Sequence, residues 1–250
     1  MESKKILLTG ASGKLGQAII RSELFSNLLI PSHQEVDITH PDTLENFFLH
    51  HPIEGVIHCA ALSKVADCQI NPLKAMHVNS IGTSHLVSAI IKKEIRDSKT
   101  IRMIHISTDG VYRGTQGLYS EHSETIPSST YGWTKLGAET SVRLLSNFCI
   151  IRTSFFDPTS IPFDTAPIDQ FSSKLPIQDL VQATSFLLNH SFVGVINVGN
   201  PRQSQYERYK QFKPSIQPCT FKDIQKKSSG ILMQDASMDC TLWNSLRLRT

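Results

Sequence analysis

The chain has 250 residues, 40% hydrophobic and 19% charged, a globular profile with enough length for one α/β domain and a small appended lobe. Its formal charge of +3 is not gathered into a basic block, which argues against nucleic acid or an anionic membrane as partner. No apolar window approaches the roughly 18 residues of a membrane span, and the run Met1-Glu2-Ser3-Lys4-Lys5 lacks the apolar stretch of a signal peptide.

Taken in chain order, residues 5–9 read as a strand and 15–21 as a helix. Residues 28–31 form a second strand, and 41–49 a helix with Pro41 near its first turn. A strand over 55–59 precedes a long helix over 73–93. A strand over 102–107, a helix over 129–145 and a strand over 149–152 follow. Strands alternating with helices predict an α/β chain with a parallel sheet covered on both faces, joined by right-handed crossovers into a doubly wound Rossmann fold. Beyond Thr153 the composition shifts. Residues 156–174 are rich in Pro, Ser, Thr and Asp and read as loop, 177–189 as an amphipathic helix and 194–198 as a strand. The cysteines Cys59, Cys68, Cys149, Cys219 and Cys240 are scattered without a C-x-x-C pair, so reduced thiols in a cytoplasmic protein are expected.

The first strand runs directly into Gly10-Ala11-Ser12-Gly13-Lys14-Leu15-Gly16, a strand–loop–helix with glycines spaced G-x-x-G-x-x-G. Gly10 allows the tight turn, Gly13 lets backbone approach a pyrophosphate, and Gly16 lets the helix pack closely on the sheet. Backbone N–H groups at the helix start, aided by the helix dipole, then face phosphate, which makes Ser12, Lys14 and Leu15 cofactor-binding positions with the glycines. No carboxylate to bind a ribose 2′-hydroxyl appears in Ile30-Pro31-Ser32-His33-Gln34. Nothing there repels a 2′-phosphate, and Ser32 and His33 could hydrogen-bond one, but no arginine favours it. NADPH and NADH both stay open.

The strand over 102–107 ends in Ser107-Thr108-Asp109, and Tyr131-Gly132-Trp133-Thr134-Lys135 comes later. Tyr131 and Lys135 share one helix face, and a hydroxyl at a strand's carboxyl end lies on the edge where ligands bind. A free phenol titrates near pH 10, so a nearby lysine ammonium is expected to lower Tyr131. Thr108 would hold a carbonyl oxygen that Tyr131 protonates as hydride arrives from a nicotinamide. Ser107 and Asp109 are candidate substrate contacts, Asp109 alternatively a turn cap. The ten histidines include no H-x-x-x-H or Cys/His cluster, so no metal is expected.

These residues resemble the extended short-chain dehydrogenases/reductases, and within them the dTDP-4-dehydrorhamnose reductase group of sugar-nucleotide reductases. Val36-Asp37-Ile38-Thr39 is similar to a segment whose Asp lies beside the adenine. Val56-Ile57-His58-Cys59-Ala60-Ala61 is similar to the family's fourth strand, with Cys59, Ala60 and Ala61 as cofactor positions, although an apolar strand also suits Cys59 as a buried structural thiol. Asn71-Pro72, Val78-Asn79, Tyr119, Glu121, Pro127, Arg152-Thr153-Ser154, Asp169-Gln170, Asp179-Leu180 and Ser237-Met238-Asp239 continue the likeness, which is strongest over residues 5–155. The resemblance implies NAD(P)H-dependent reduction of a 4-keto group on a nucleotide-linked deoxysugar, with Thr108, Tyr131 and Lys135 as catalytic triad. It implies a NAD(P)-binding Rossmann domain over 1–155 and a small substrate-binding lobe over 156–250 interleaved with the sheet, and it admits a homodimer. The chain departs at Gly110, where the family commonly has Tyr, at the candidate substrate residue Phe155, where it often has Trp, and in the short stretch 156–168. An NAD-dependent epimerase or dehydratase, or a non-catalytic dinucleotide-binding subunit like that of methionine adenosyltransferase, are the alternative readings.

Overall fold

A computed structural model describes residues 5–228 and 231–248, so the N-terminal run 1–4 lies outside the described residues. Six strands form the central sheet: β1 (Lys5–Thr9), β2 (Leu28–Leu29), β3 (Ile53–His58), β4 (Arg102–Ile106), β5 (Phe148–Thr153) and β6 (Gly194–Val198). Their order is β6-β5-β4-β3-β1-β2, and every pairing is parallel. The winding reverses between β1 and β3, which opens a crevice at the carboxyl ends of those strands.

Successive strand residues face opposite sides, so alternate positions build two cores. Leu7, Val56, Met103 and Ile150 meet helices α2 (Pro41–His50), α3 (Gly82–Asp97) and α4 (Thr130–Val142) through Leu44, Phe48, Leu86, Ile90 and Val142. Leu8, Ile57, Ile104 and Ile151 face α1 (Lys14–Arg21) and α5 (Ile177–Asn189) through Leu15, Ile19, Leu180 and Leu187. The doubly wound arrangement expected from the alternation is the one observed.

Two expectations change. The expected helix over 73–93 is helical throughout but is not one α-helix: Pro72–Ala75, a π-helical turn Met76–Ile81 and α3 follow one another without a gap, after a separate helix Val65–Ile70. Pro72 brings no N–H, and the Asn71 side chain caps Lys74 N, so a new helix begins there. The loop over 156–174 contains short strands, Thr165–Pro167 pairing with Gln217–Cys219 and Phe171–Ser172 pairing with both Gln203–Ser204 and Asp235–Ala236. Strands of two or three residues leave no periodicity to read. With Phe155–Phe156 and Leu175–Pro176 they form a lobe beside the sheet's carboxyl edge. Among the described residues no helix is long and apolar enough to cross a membrane.

Candidate active site

A cavity of about 750 Å³ joins the glycine turn, the ends of β3 and β4, the start of α4 and the lobe. Of the residues expected from the sequence, Gly10, Gly13, Lys14, Leu15, Gly16, Cys59, Ala61, Ser107, Thr108, Asp109, Tyr131, Lys135 and Phe155 line it. Ser12, Asp37, Ile38 and Ala60 are not among its lining residues. Asp37 is spent locally, its Oδ1 accepting from Thr39 N at 2.9 Å and Thr39 Oγ1 at 2.7 Å. Ile38 is buried against Gly82 of α3.

The three glycines have different work. Gly10 sits at φ +73°, and a Cβ there would come within 2.5 Å of Ala60 N, so it seats the turn on the end of β3. A Cβ on Gly16 would strike the Gly10 carbonyl and Ala11 Cα, so α1 needs a bare backbone to close on the turn. Gly13 is unlike both: a Cβ would meet only the Gly10 carbonyl, at 3.3 Å, and otherwise fill open cavity. Among the described residues no side chain caps α1, and its first turn holds no acid, which leaves its positive end to an anion. This cradle, with the buried Lys135 beside it, fits a pyrophosphate-bearing dinucleotide.

At the segment read as the 2′-phosphate contact, the structure adds a carboxylate. Glu35 Oε2 accepts from both the N–H and the hydroxyl of Ser32, at 2.8 Å each. The Ser32 donors are therefore engaged, and His33 leans 3.5 Å from Asp37. The reading stopped one residue short of Glu35, whose position only the turn geometry brings back to Ser32.

The catalytic candidates converge because α4 starts hard against the turn after β4. Ser129 caps α4 by accepting from Gly132 N at 3.1 Å. A Cβ on Gly132 would strike the Gly110 carbonyl, so glycine permits the contact that sets Tyr131 beside Thr108. Thr108 Oγ1 accepts from Gly110 N at 3.0 Å and donates to Asp109 Oδ1 at 3.2 Å. Burial raises the Tyr131 phenol above its ordinary range, a hydrogen bond with Thr108 works against this, and the charge of Asp109 adds to it. The expected lowering by the lysine is absent, because Lys135 turns toward the sheet, its Nζ 3.3 Å from His105 Nε2. Burial lowers Lys135 to about 8, against opposing influences from Glu139 and Cys59. Burial lifts Asp109 to about 6, while Lys174, Thr108, Ser154 and the Gly110 N–H pull the other way. Cys59, just past β3 and half-buried, has its thiol pushed by burial up to about 12.

A buried polar network underlies these groups. Ser107 Oγ donates to Glu139 Oε1 at 2.6 Å, so its hydroxyl serves the scaffold although Ser107 lines the cavity. Arg152 grips Glu139 through Nε at 3.1 Å and Nη2 at 2.7 Å, and donates to the Tyr112 hydroxyl at 3.0 Å. Tyr112 in turn donates to Asn197 Oδ1 at 2.9 Å, locking α4 to β5 and β6. Burial disfavours the Arg152 charge, but Glu139 outweighs it and the guanidinium lies above its ordinary range.

Lobe residues that the sequence reading did not single out as site residues also line the cavity, Lys174, Gln170, Phe171, Gln205 and Met233 among them. Phe171 lies in a two-residue strand, Gln205 begins a short helix, and Gln170, Lys174 and Met233 lie in connecting segments, so no local pattern marks them. Among the described residues, no group of three or more His, Cys, Asp or Glu could hold a metal ion.

Residues 4–157 match the family described as the RmlD substrate binding domain. The chain is 32% identical over 163 residues to the probable low-salt glycan biosynthesis reductase Agl14 of Haloferax volcanii, covering 59% of this chain and 52% of that protein. It is 30% identical over 161 residues to the dTDP-4-dehydrorhamnose reductase of Mycobacterium tuberculosis, covering 61% and 50% respectively. The matches thus span about half the length of these curated relatives. The crystal structure of the dTDP-4-dehydrorhamnose reductase of Bacillus anthracis in complex with NADP has the same fold, with a TM-score of 0.83 at 21% identity over 100% of this chain and 92% of that one.

Proposed function

This chain belongs to the RmlD substrate binding domain family, and from that premise we propose that it is a nicotinamide-dependent reductase of a nucleotide-linked 4-keto-deoxysugar. The observation that carries the reading is the convergence of Thr108, Tyr131 and Lys135 on the cavity that the glycine turn also lines. The names of its reductase relatives support the substrate class.

The cofactor, NADPH or NADH, would be held by Gly10, Gly13, Gly16 and the start of α1, and when bound supplies hydride to the carbonyl carbon. Tyr131 is the acid. Burial keeps its phenol protonated, which is the form a reductase needs for giving a proton to the carbonyl oxygen. The Thr108 hydroxyl, adjacent to that phenol, holds the same oxygen. Lys135, whose Nζ lies at the sheet and not on the phenol, would contribute its positive charge to the cavity and to the bound dinucleotide. Asp109, Lys174 and Phe155 line the same cavity and would orient the sugar. In this reading residues 1–155 serve the dinucleotide and 156–250 the substrate. Five free cysteines suit the reducing cytoplasm.

The test is cofactor oxidation by the purified protein against a panel of nucleotide-linked keto-sugars, with NADH and NADPH in parallel. Net consumption separates a reductase from an epimerase. Tyr131→Phe should cut turnover by about 10²–10⁴-fold while dinucleotide binding persists. Full activity in that variant would overturn the assignment.

A further inference from the structure

We propose that His105 is a positioning residue for Lys135, its Nε2 accepting a hydrogen bond from the ammonium and holding Nζ against the sheet. The inference rests on the role given to Lys135 above. His105 lies on β4 in register with His58 on β3, and His58 in register with Thr9 on β1. All three project to the face covered by α3 and α4. Lys135 reaches down from α4, and its Nζ stands 3.3 Å from His105 Nε2 with both residues fully or almost fully buried.

The hydrogen bonds settle both tautomers. The Thr83 hydroxyl donates to Asn79 O at 2.6 Å, so its oxygen must accept from His58 Nε2 at 2.9 Å. His58 therefore carries its proton on Nε2, and its Nδ1 accepts from Thr9 Oγ1 at 2.6 Å. His105 is the reverse. An ammonium has only donors, so Nε2 accepts and the proton sits on Nδ1. That Nδ1 is buried and has no hydrogen-bond partner among the described residues. Its ring lies 5.2 Å from His58, but both His58 nitrogens are already engaged.

A buried histidine that merely filled space would be better served by an apolar side chain, which leaves no orphaned donor. What the imidazole supplies here is the lone pair on Nε2. Burial and the Lys135 charge hold His105 well below the ordinary histidine range, and burial with the same charge brings His58 down to about 3. Both rings are thus neutral acceptor scaffolds. The other titratable groups acting on Lys135 are Glu139 on its own helix and Cys59 after β3. Lys135 also lines the cavity, so a contact that fixes its Nζ at the sheet sets where its charge lies relative to that cavity.

Long-range proton–nitrogen NMR on histidine-labelled protein reads the tautomers directly, without substrate or cofactor. At pH 6.5, where Lys135 is charged, His105 should carry its proton on Nδ1 and His58 on Nε2. Lys135→Met should shift the His105 Nε2 resonance and leave the His58 tautomer, held by Thr9 and Thr83, unchanged. A His105 proton on Nε2, or a resonance indifferent to Lys135→Met, overturns the proposal. In turnover, His105→Phe should lower kcat about 10- to 100-fold with sugar KM within about twofold, and His105→Gln, which restores an acceptor, should recover most of the rate. Equal loss in the two variants at native-like thermal unfolding also overturns it. Absence of turnover in the unmodified protein would instead sink the proposed reaction, leaving the tautomer result to stand or fall separately.

Discussion

Replacing Asp109 with asparagine should stabilise the protein while damaging its site. Asp109 is 6% exposed, accepts a hydrogen bond from Thr108 and lines the cavity. Burial lifts it from 3.8 to about 6. Two pH units correspond to roughly 3 kcal/mol of extra cost for ionising it in the folded state, and relaxation around the charge trims this to about 2–3 kcal/mol. Because the folded pKa is raised, the folded protein holds this proton more tightly than the unfolded chain between pH 3.8 and about 6. The contribution of Asp109 is therefore most favourable below that window and is lost as pH rises through it. Asparagine keeps an oxygen acceptor for Thr108 and carries no charge to desolvate. Urea and thermal unfolding, without dinucleotide, should find the two proteins closest near pH 4. By pH 7.5 the variant should be the more stable by about 2–3 kcal/mol, a rise of roughly 5–10 °C for a chain of this size. A difference that is flat with pH, or a variant less stable at pH 7.5, would refute the reasoning.

Three other outcomes can be checked. Arg152→Met strands Glu139 in the interior and should cost about 3–5 kcal/mol by urea denaturation, with part recovered on adding Glu139→Gln. Gly13→Val should unfold within about 1 kcal/mol of the parent yet weaken dinucleotide binding more than about tenfold by calorimetry, since the new side chain fills cavity and not core. Turnover should decline as pH rises through about 8, where Lys135 gives up its proton. Loss of rate only near the free lysine value would contradict the burial argument.

Much of this was legible because it is local. Alternating strand and helix patterns identified the doubly wound sheet, and the G-x-x-G-x-x-G turn and the Tyr131/Lys135 spacing pointed to residues that line one cavity. Where the reading failed, the cause was an interaction between distant segments. The helix expected over 73–93 is helical throughout but carries a π turn over Met76–Ile81 that no short-range pattern marks. The lysine was expected to act on the phenol from spacing alone, but His105, thirty residues away in sequence, draws its ammonium to the sheet.

By itself, then, the amino-acid order determined the sheet, its glycine turn and the chemical types that line the cavity, because hydrophobic period, glycine conformational freedom and helical spacing act over a few residues. The tertiary structure alone decided the tautomers of His58 and His105, the raised phenol of Tyr131, the clasp of Arg152 on Glu139 and the arrival of Lys174 and Gln205 at the cavity. Those depend on desolvation and on hydrogen bonds between chain segments that come together only when the sheet closes against its helices and lobe.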